Sequence, residues 1–238
     1  MNLQNLCNHA VDAAKKAGNF LIKNKDQEKL IFGESGRDIK LELDRSTEQI
    51  IYQSLKETNI DFFGEEFGGS NTGIRWVVDP IDGTANYFRG LDQCCISIAL
   101  MDKDDVSIGV IYNFNNDEMY SAIKGKGAFL NDKKIRVSKV KEKSKASLTT
   151  GFPASESFES SLDFLKDLKE WKKIRMFGSA ALSCAYIASG KCDFYSEKGV
   201  YLWDIAAGIC LVREAGGLAN FRLIDNDRYE VAFSNNLL

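Results

Sequence analysis

Between residues 74 and 137 the chain is written almost entirely in strands, and beyond residue 147 strands take turns with helices. Apolar runs at 74–78, 94–101, 106–114, 119–123 and 128–137 are separated by a few turn-forming residues, among them Asp102-Lys103-Asp104-Asp105, Gly125, Gly127, Asn131 and Asp132. Connections this short favour antiparallel neighbours, so the pattern predicts a meandering sheet with a hairpin at 94–114 and not a Rossmann-like one. After a basic stretch the spacing predicts strand 147–150, helix 156–171, strand 173–176, helix 179–188, strand 193–196 and helix 204–215, a layered α/β alternation. Two closely joined units follow, 1–139 and 140–238. No repeat or low-complexity linker separates them, and the chain has only two prolines.

Ahead of the meander, Leu3, Leu6, Cys7, Ala10, Ala13, Ala14, Ala17, Phe20 and Leu21 recur at helical spacing and predict an amphipathic opening helix. Residues 23–37 read as a charged loop with Gly and Ser, and 38–43 as a short strand. Asp44 stands as the N-cap of a helix carrying Ile50, Ile51 and Leu55. A strand at 60–63 then runs into Gly64-Glu65-Glu66.

Histidine is the informative absence. His9 is the only one in 238 residues, on the opening helix, so unless it is catalytic the chemistry falls to carboxylates, hydroxyls, thiols or lysines. The six cysteines lie in apolar segments without C-x-x-C spacing, which argues against structural zinc and a disulfide framework. A net charge of −3 gives no global basic field for nucleic acid or an anionic membrane. The local exception, residues 133–145, reads as a solvated face. With no membrane-spanning run and no secretory pattern, the expected location is cytoplasmic.

The acidic residues cluster at junctions. Asp79 and Asp82 flank a turn set by Pro80 and Gly83, so both carboxylates can face one point beyond a strand end. Gly83 and Thr84 then offer N–H groups at a helix start, a seat for phosphate. Taken alone, these two aspartates also describe a capped helix start, and Asp204 after Trp203 also reads as a plain N-cap. Together with Glu65 and Glu66 after another strand, the acidic junctions are explained more economically by one shared hard-cation site. Oxygen-only ligands suit magnesium, and paired ions about 3.5–4 Å apart can clamp an in-line phosphoryl displacement.

Gly64-Glu65-Glu66, Asp79-Pro80-Ile81-Asp82-Gly83-Thr84-Ala85-Asn86-Tyr87, Gly178-Ser179-Ala180-Ala181-Leu182, Trp203-Asp204-Ile205-Ala206-Ala207-Gly208 and Glu214-Ala215-Gly216-Gly217 together resemble the inositol monophosphatase family of magnesium-dependent, lithium-sensitive phosphatases. The resemblance implies an α+β fold, a layered αβαβα sandwich, and a homodimer. It implies that Glu65, Asp79, the carbonyl of Ile81, Asp82 and Asp204 hold two or three magnesium ions. By the same resemblance Asp82, Gly83, Thr84, Gly178, Ser179, Ala180, Glu197 and Asp204 contact a small phosphorylated metabolite. Asp44 pairs with Thr84 to orient or deprotonate the attacking water, with Glu65 and Asp82 as further catalytic groups. The chain departs from the family at Lys40-Leu41, where a small apolar residue and threonine are usual, and at Gly33, where some relatives carry a loop lysine.

The resemblance thus points to phosphate monoester hydrolysis, with inositol 1-phosphate as the family's namesake substrate. Relatives also act on fructose 1,6-bisphosphate, histidinol phosphate, 3'-phosphoadenosine 5'-phosphate or NADP, and Asn86-Tyr87 leans toward the inositol-phosphate pattern. Glu197 reads either as a polyol ligand or as an exposed charge at a strand end. Two other classes compete: a non-catalytic interaction protein on this fold, and a cysteine-dependent phosphatase. The latter lacks the Cys-x5-Arg loop it would need.

Overall fold

The opening helix α1 (Leu3–Lys23) is capped by the Asn2 side chain, which accepts from Asn5 N–H, and buries Leu6, Cys7, Ala10, Ala13, Ala14, Ala17 and Leu21. Its alanine stripe lets the backbone lie close to its neighbours. The structure, a computed structural model, describes residues 2–26, 31–35, 38–152, 158–225 and 227–238. The segment read as a loop holds a strand, β1 (Ile31–Ser35), paired antiparallel with β2 (Asp38–Leu41). Helix α2 (Glu42–Leu55) then starts two residues before Asp44, so Asp44 is not the N-cap. It lies in the first turn, where its charge complements the helix dipole.

Strands β3 (Asp61–Gly64), β4 (Gly68–Gly69) and β5 (Ile74–Asp82) lead into helix α3 (Thr84–Arg89). The meander continues as β6 (Cys95–Asp102), β7 (Asp105–Asn113), β8 (Glu118–Ile123), β9 (Gly127–Leu130) and β10 (Lys133–Ile135). They form one eight-stranded sheet in the order β10-β9-β8-β7-β6-β5-β3-β4, antiparallel except where β3 runs parallel to β5. Strand β5 does not stop at Val78 as its apolar run predicts; it continues through Asp79 to Asp82, with a break in register against β6 between those two aspartates.

The second half comprises β11 (Ser147–Thr150), α4 (Phe158–Leu168), β12 (Lys173–Arg175), α5 (Ala180–Ala188), β13 (Phe194–Tyr201), α6 (Leu202–Glu214), β14 (Leu218–Asp225) and β15 (Arg228–Ser234). Its sheet runs β12-β11-β13-β15-β14. The residues just before α4 fall outside those described, including the predicted helix start at 156. Crossovers from β11 to β12 and from β12 to β13 travel in opposite directions, so right-handedness puts α4 and α5 on opposite faces. Asp204 is again not an N-cap: α6 begins at Leu202, Tyr201 is the cap, and the Asp204 side chain accepts from Tyr201 N–H at 2.7 Å.

Both faces of the large sheet are buried, which is why its strands are apolar without strict alternation. Trp76, Val78, Ile96, Ile98, Leu100, Ile108 and Val110 pack toward α1 and α2. Val77, Ala99, Met101 and Ile111 pack the other way, with α5, α6, Tyr195 and Phe233. Helices α5 and α6 thus lie between the two sheets, which gives the layered α+β sandwich. All six cysteines are buried and free.

Candidate active site

The site lies where the first sheet meets the helices between the layers. A cleft of about 390 Å³ is lined by Glu65, Asp79, Ile81, Asp82, Gly83 and Thr84 from the first half, and by Gly178, Ser179, Ala180, Glu197, Asp204 and Arg228 from the second. Every residue that the resemblance assigns to metal or substrate therefore lines this cleft, while Glu66 does not. Asp44 reaches it through the Thr84 hydroxyl, 3.2 Å from Asp44 Oδ1.

The break in β5 shapes the first half of the site. Asp79 Oδ1 accepts from Ile81 N–H at 2.9 Å, and the Ile81 carbonyl accepts the Thr84 hydroxyl at 2.8 Å. Gly83 has φ 91°, and a Cβ there would lie 2.7 Å from the Gln93 carbonyl, so only glycine fits. Glu65 is carried on the loop after β3, its N–H on the Val78 carbonyl. That loop is fixed by a residue the sequence reading missed. Glu48, fully buried on α2, accepts from Glu66 N–H at 2.9 Å and Phe67 N–H at 2.8 Å. Its signal was present: Asp44, Thr47, Glu48, Ile51 and Leu55 make one buried helical stripe with two acids in it. Glu66 itself does not line the cleft; it sits 3.8 Å from Arg45.

Asp82 is held from the other half of the chain. Its carboxylate accepts the Ser179 hydroxyl, Ala181 N–H at 2.8 Å, Ala180 N–H at 3.2 Å and, weakly, the Cys95 thiol at 3.6 Å. Ser179 caps α5 by accepting from Leu182 N–H at 3.2 Å. Its hydroxyl, expected toward the substrate, is thus engaged by Asp82. Asn86, read as a hint to the substrate, ties the halves together instead, donating to the carbonyls of Gln93 and Phe177 at 2.7 Å. Glu197 is not an exposed strand-end charge. It sits within β13, accepts from the Tyr195 hydroxyl at 2.9 Å, and has its pKa pushed up to about 7 by burial, against the Tyr195 hydrogen bond.

Asp79, Asp82 and Asp204 each bring a carboxylate oxygen within 4.8 Å of the others. Asp79 is 2% and Asp82 6% exposed, and among the described residues no Lys or Arg pairs with any of the three. Burial, then repulsion from Glu65 and the other aspartates, drives Asp79 well above the carboxylate range. Asp204 is raised by burial and by Asp82, and Asp82 by burial against its four donors. Buried acids that repel one another must be neutralised, by protons or by a cation, and this cluster offers a cation a ready-made set of oxygens. The donor set fits magnesium: oxygen only, no imidazole, no thiolate. Burial pushes the neighbouring thiols up, Cys94 to about 12 and Cys95 well above its ordinary value, so they stay protonated and are neither ligands nor nucleophiles.

Comparison with known proteins gives a consistent picture. The model of the inositol monophosphatase family matches residues 2–220. The Nus factor SuhB of Xylella fastidiosa is 39% identical over 94% of this chain and 84% of its own, and the inositol-1-monophosphatase of Rhizobium meliloti is 36% identical over 89% and 84%. The solved structure of the extragenic suppressor protein suhB from Bartonella henselae superposes with a TM-score of 0.89 at 34% identity, covering 97% of this chain and 93% of that one.

Proposed function

Since the chain belongs to the inositol monophosphatase family and is by that membership a phosphoric monoester hydrolase, we propose that it hydrolyses a small phosphate monoester with magnesium, inositol 1-phosphate before others. The observation that carries this reading is the unpaired carboxylate cluster of Asp79, Asp82 and Asp204 beside Gly83 and Thr84 in one cleft. Glu65, Asp79, the Ile81 carbonyl, Asp82 and Asp204 would hold the metal. When bound, magnesium neutralises phosphoryl oxygens and makes water acidic enough to attack.

The chain's own residues supply the rest. The Thr84 hydroxyl has one proton and two acceptors, the Ile81 carbonyl at 2.8 Å and Asp44 at 3.2 Å. With its proton directed to Asp44, 2% exposed, the Thr84 hydroxyl would have its oxygen left to orient the attacking water, whose proton would pass through Thr84 toward Asp44. Gly83 and Thr84 N–H groups, at the head of α3, hold the phosphate. Asp82 lies toward the leaving oxygen, and Glu197 with Gly178, Ser179 and Ala180 faces the alcohol. Near neutral pH Glu197 is close to half-protonated and can accept from or donate to a polyol hydroxyl.

The test is a phosphate-release screen over inositol 1-phosphate, fructose 1,6-bisphosphate, histidinol phosphate, 3'-phosphoadenosine 5'-phosphate and NADP, with and without magnesium, using Asp82→Asn as control. Inositol 1-phosphate should lead, chelation should stop release, and the variant should be inactive while folded. Wild-type protein that binds magnesium and releases nothing from the panel would sink the proposal in favour of a non-catalytic role. The cytoplasm and a homodimer belong to the same reading; sedimentation analysis of the purified chain checks the dimer.

A further inference from the structure

Across the cleft from the carboxylates stands one cation. Arg228, the first residue of β15, is the only Lys or Arg among the described residues lining the cleft, and it makes no ion pair there. Its guanidinium lies 3.8 Å over the Tyr201 ring and donates through Nη1 to the Gly199 carbonyl. Tyr201 stacks on Trp203 at 4.7 Å and 21°, and Trp203 packs on Phe63 at 5.6 Å. The stack is anchored to the metal side, because Tyr201 N–H donates to Asp204. A flat cation clamped on one face and through one donor keeps the rest of its fork of N–H groups available. Its position is unusual for what surrounds it. Glu65, Asp79, Asp82, Asp204 and Glu197 share the cleft, yet the aromatic stack holds Arg228 apart from all of them.

We propose that Arg228 is a specificity-determining residue that takes a second anionic group, carboxylate or phosphate, on the alcohol portion of the substrate. The inference rests on the phosphatase reading above and adds to it that, among otherwise matched phosphate monoesters, the one with a further negative charge on its alcohol portion is preferred. Bidentate or charge-assisted pairing with a guanidinium in a cleft discriminates by about tenfold to a hundredfold.

Two matched pairs test it: fructose 1,6-bisphosphate against fructose 1-phosphate, and 2-phosphoglycerate against glycerol 2-phosphate. Wild-type enzyme should favour the doubly charged member of at least one pair in kcat/KM, and the pair affected tells phosphate from carboxylate. In Arg228→Ala that ratio should fall by about tenfold or more, through KM and not kcat, and Arg228→Lys should keep part of it. No wild-type preference in either pair, or a loss equal on both members, overturns the proposal. Calorimetric binding of the same four compounds with magnesium separates the two claims. If nothing is hydrolysed but the ratio of Kd values still depends on Arg228, the phosphatase reading fails and this one stands.

Discussion

Replacing Ser179 by alanine removes two interactions through one atom. The hydroxyl oxygen accepts from Leu182 N–H to cap α5 while its proton goes to Asp82. Losing an N-cap costs about 1 kcal/mol. Losing a hydrogen bond to a buried carboxylate costs about 1.5 kcal/mol, the low end for a charged acceptor because Ala180 and Ala181 N–H remain on it. The chelated protein should therefore lose about 2.5 kcal/mol, or about 5–10 °C of Tm for a chain of this size. The same hydroxyl holds down the Asp82 pKa against burial, so Ser179→Ala moves it further up and makes the carboxylate a poorer ligand at neutral pH. If about 1.4 kcal/mol of that reaches the metal, the magnesium concentration for half-maximal phosphate release rises about tenfold. Melting with chelator and a magnesium titration of phosphate release measure the two effects separately, and Ser179→Thr, which keeps the hydroxyl, should restore both. A lower Tm with an unmoved magnesium midpoint would reduce Ser179 to a helix cap and refute the link to Asp82.

Other perturbations give equally direct readings. Asp79→Asn removes an acid raised well above the carboxylate range by burial and its acidic neighbours, so at pH 8 with chelator its Tm should exceed wild type. It should also lose the wild-type stabilisation by magnesium, about 2.7 kcal/mol at a hundredfold excess over Kd. The folded pKa of Glu197 is raised from 4.5 to about 7, so the folded state holds its proton through that window while the unfolded chain does not. Stability must fall as pH rises from 4.5 to about 7 and level off above, and Glu197→Gln should flatten this slope in a pH series of melts. Gly83→Ala must hold φ 91° against a carbonyl 2.7 Å away, and should cut kcat by about a hundredfold with a smaller change in magnesium affinity. Alkylating reagents should leave turnover unchanged under native conditions, because all six thiols are buried.

The parts of the fold written in local pattern were legible. The hairpin of β6 and β7 and the alternation after residue 147 both rest on residues close in sequence. Strand β14 exposes Leu223 and Ile224 one after the other, which spoils the period of two, and the closing hairpin of β14 and β15 is not legible for that reason. The carboxylates could be placed on one site because each lies at, or a few residues beyond, the end of a strand or a break in one. Their supports could not, since Ser179 on Asp82 and Asn86 on Phe177 join residues that only tertiary packing brings together. From sequence Asp44 reads as a cap, and Asp204 as either a cap or a metal ligand, because an acid before an apolar helix reads that way. In both cases the helix starts two residues earlier and the acid sits in its first turn.

Helices α5 and α6 between two sheets also impose an order of events on a chain made from its N-terminus. Glu65, Asp79 and Asp82 leave the ribosome well before Ser179, Tyr201 and Asp204, so the first sheet emerges with its acids gathered and neither the donors that hold Asp82 nor the third aspartate in place. A half-made chain carries the repulsion without the cage. Docking of the second half is what converts that liability into a binding site, and the appearance of magnesium-dependent protection during synthesis would time the closing of the sandwich.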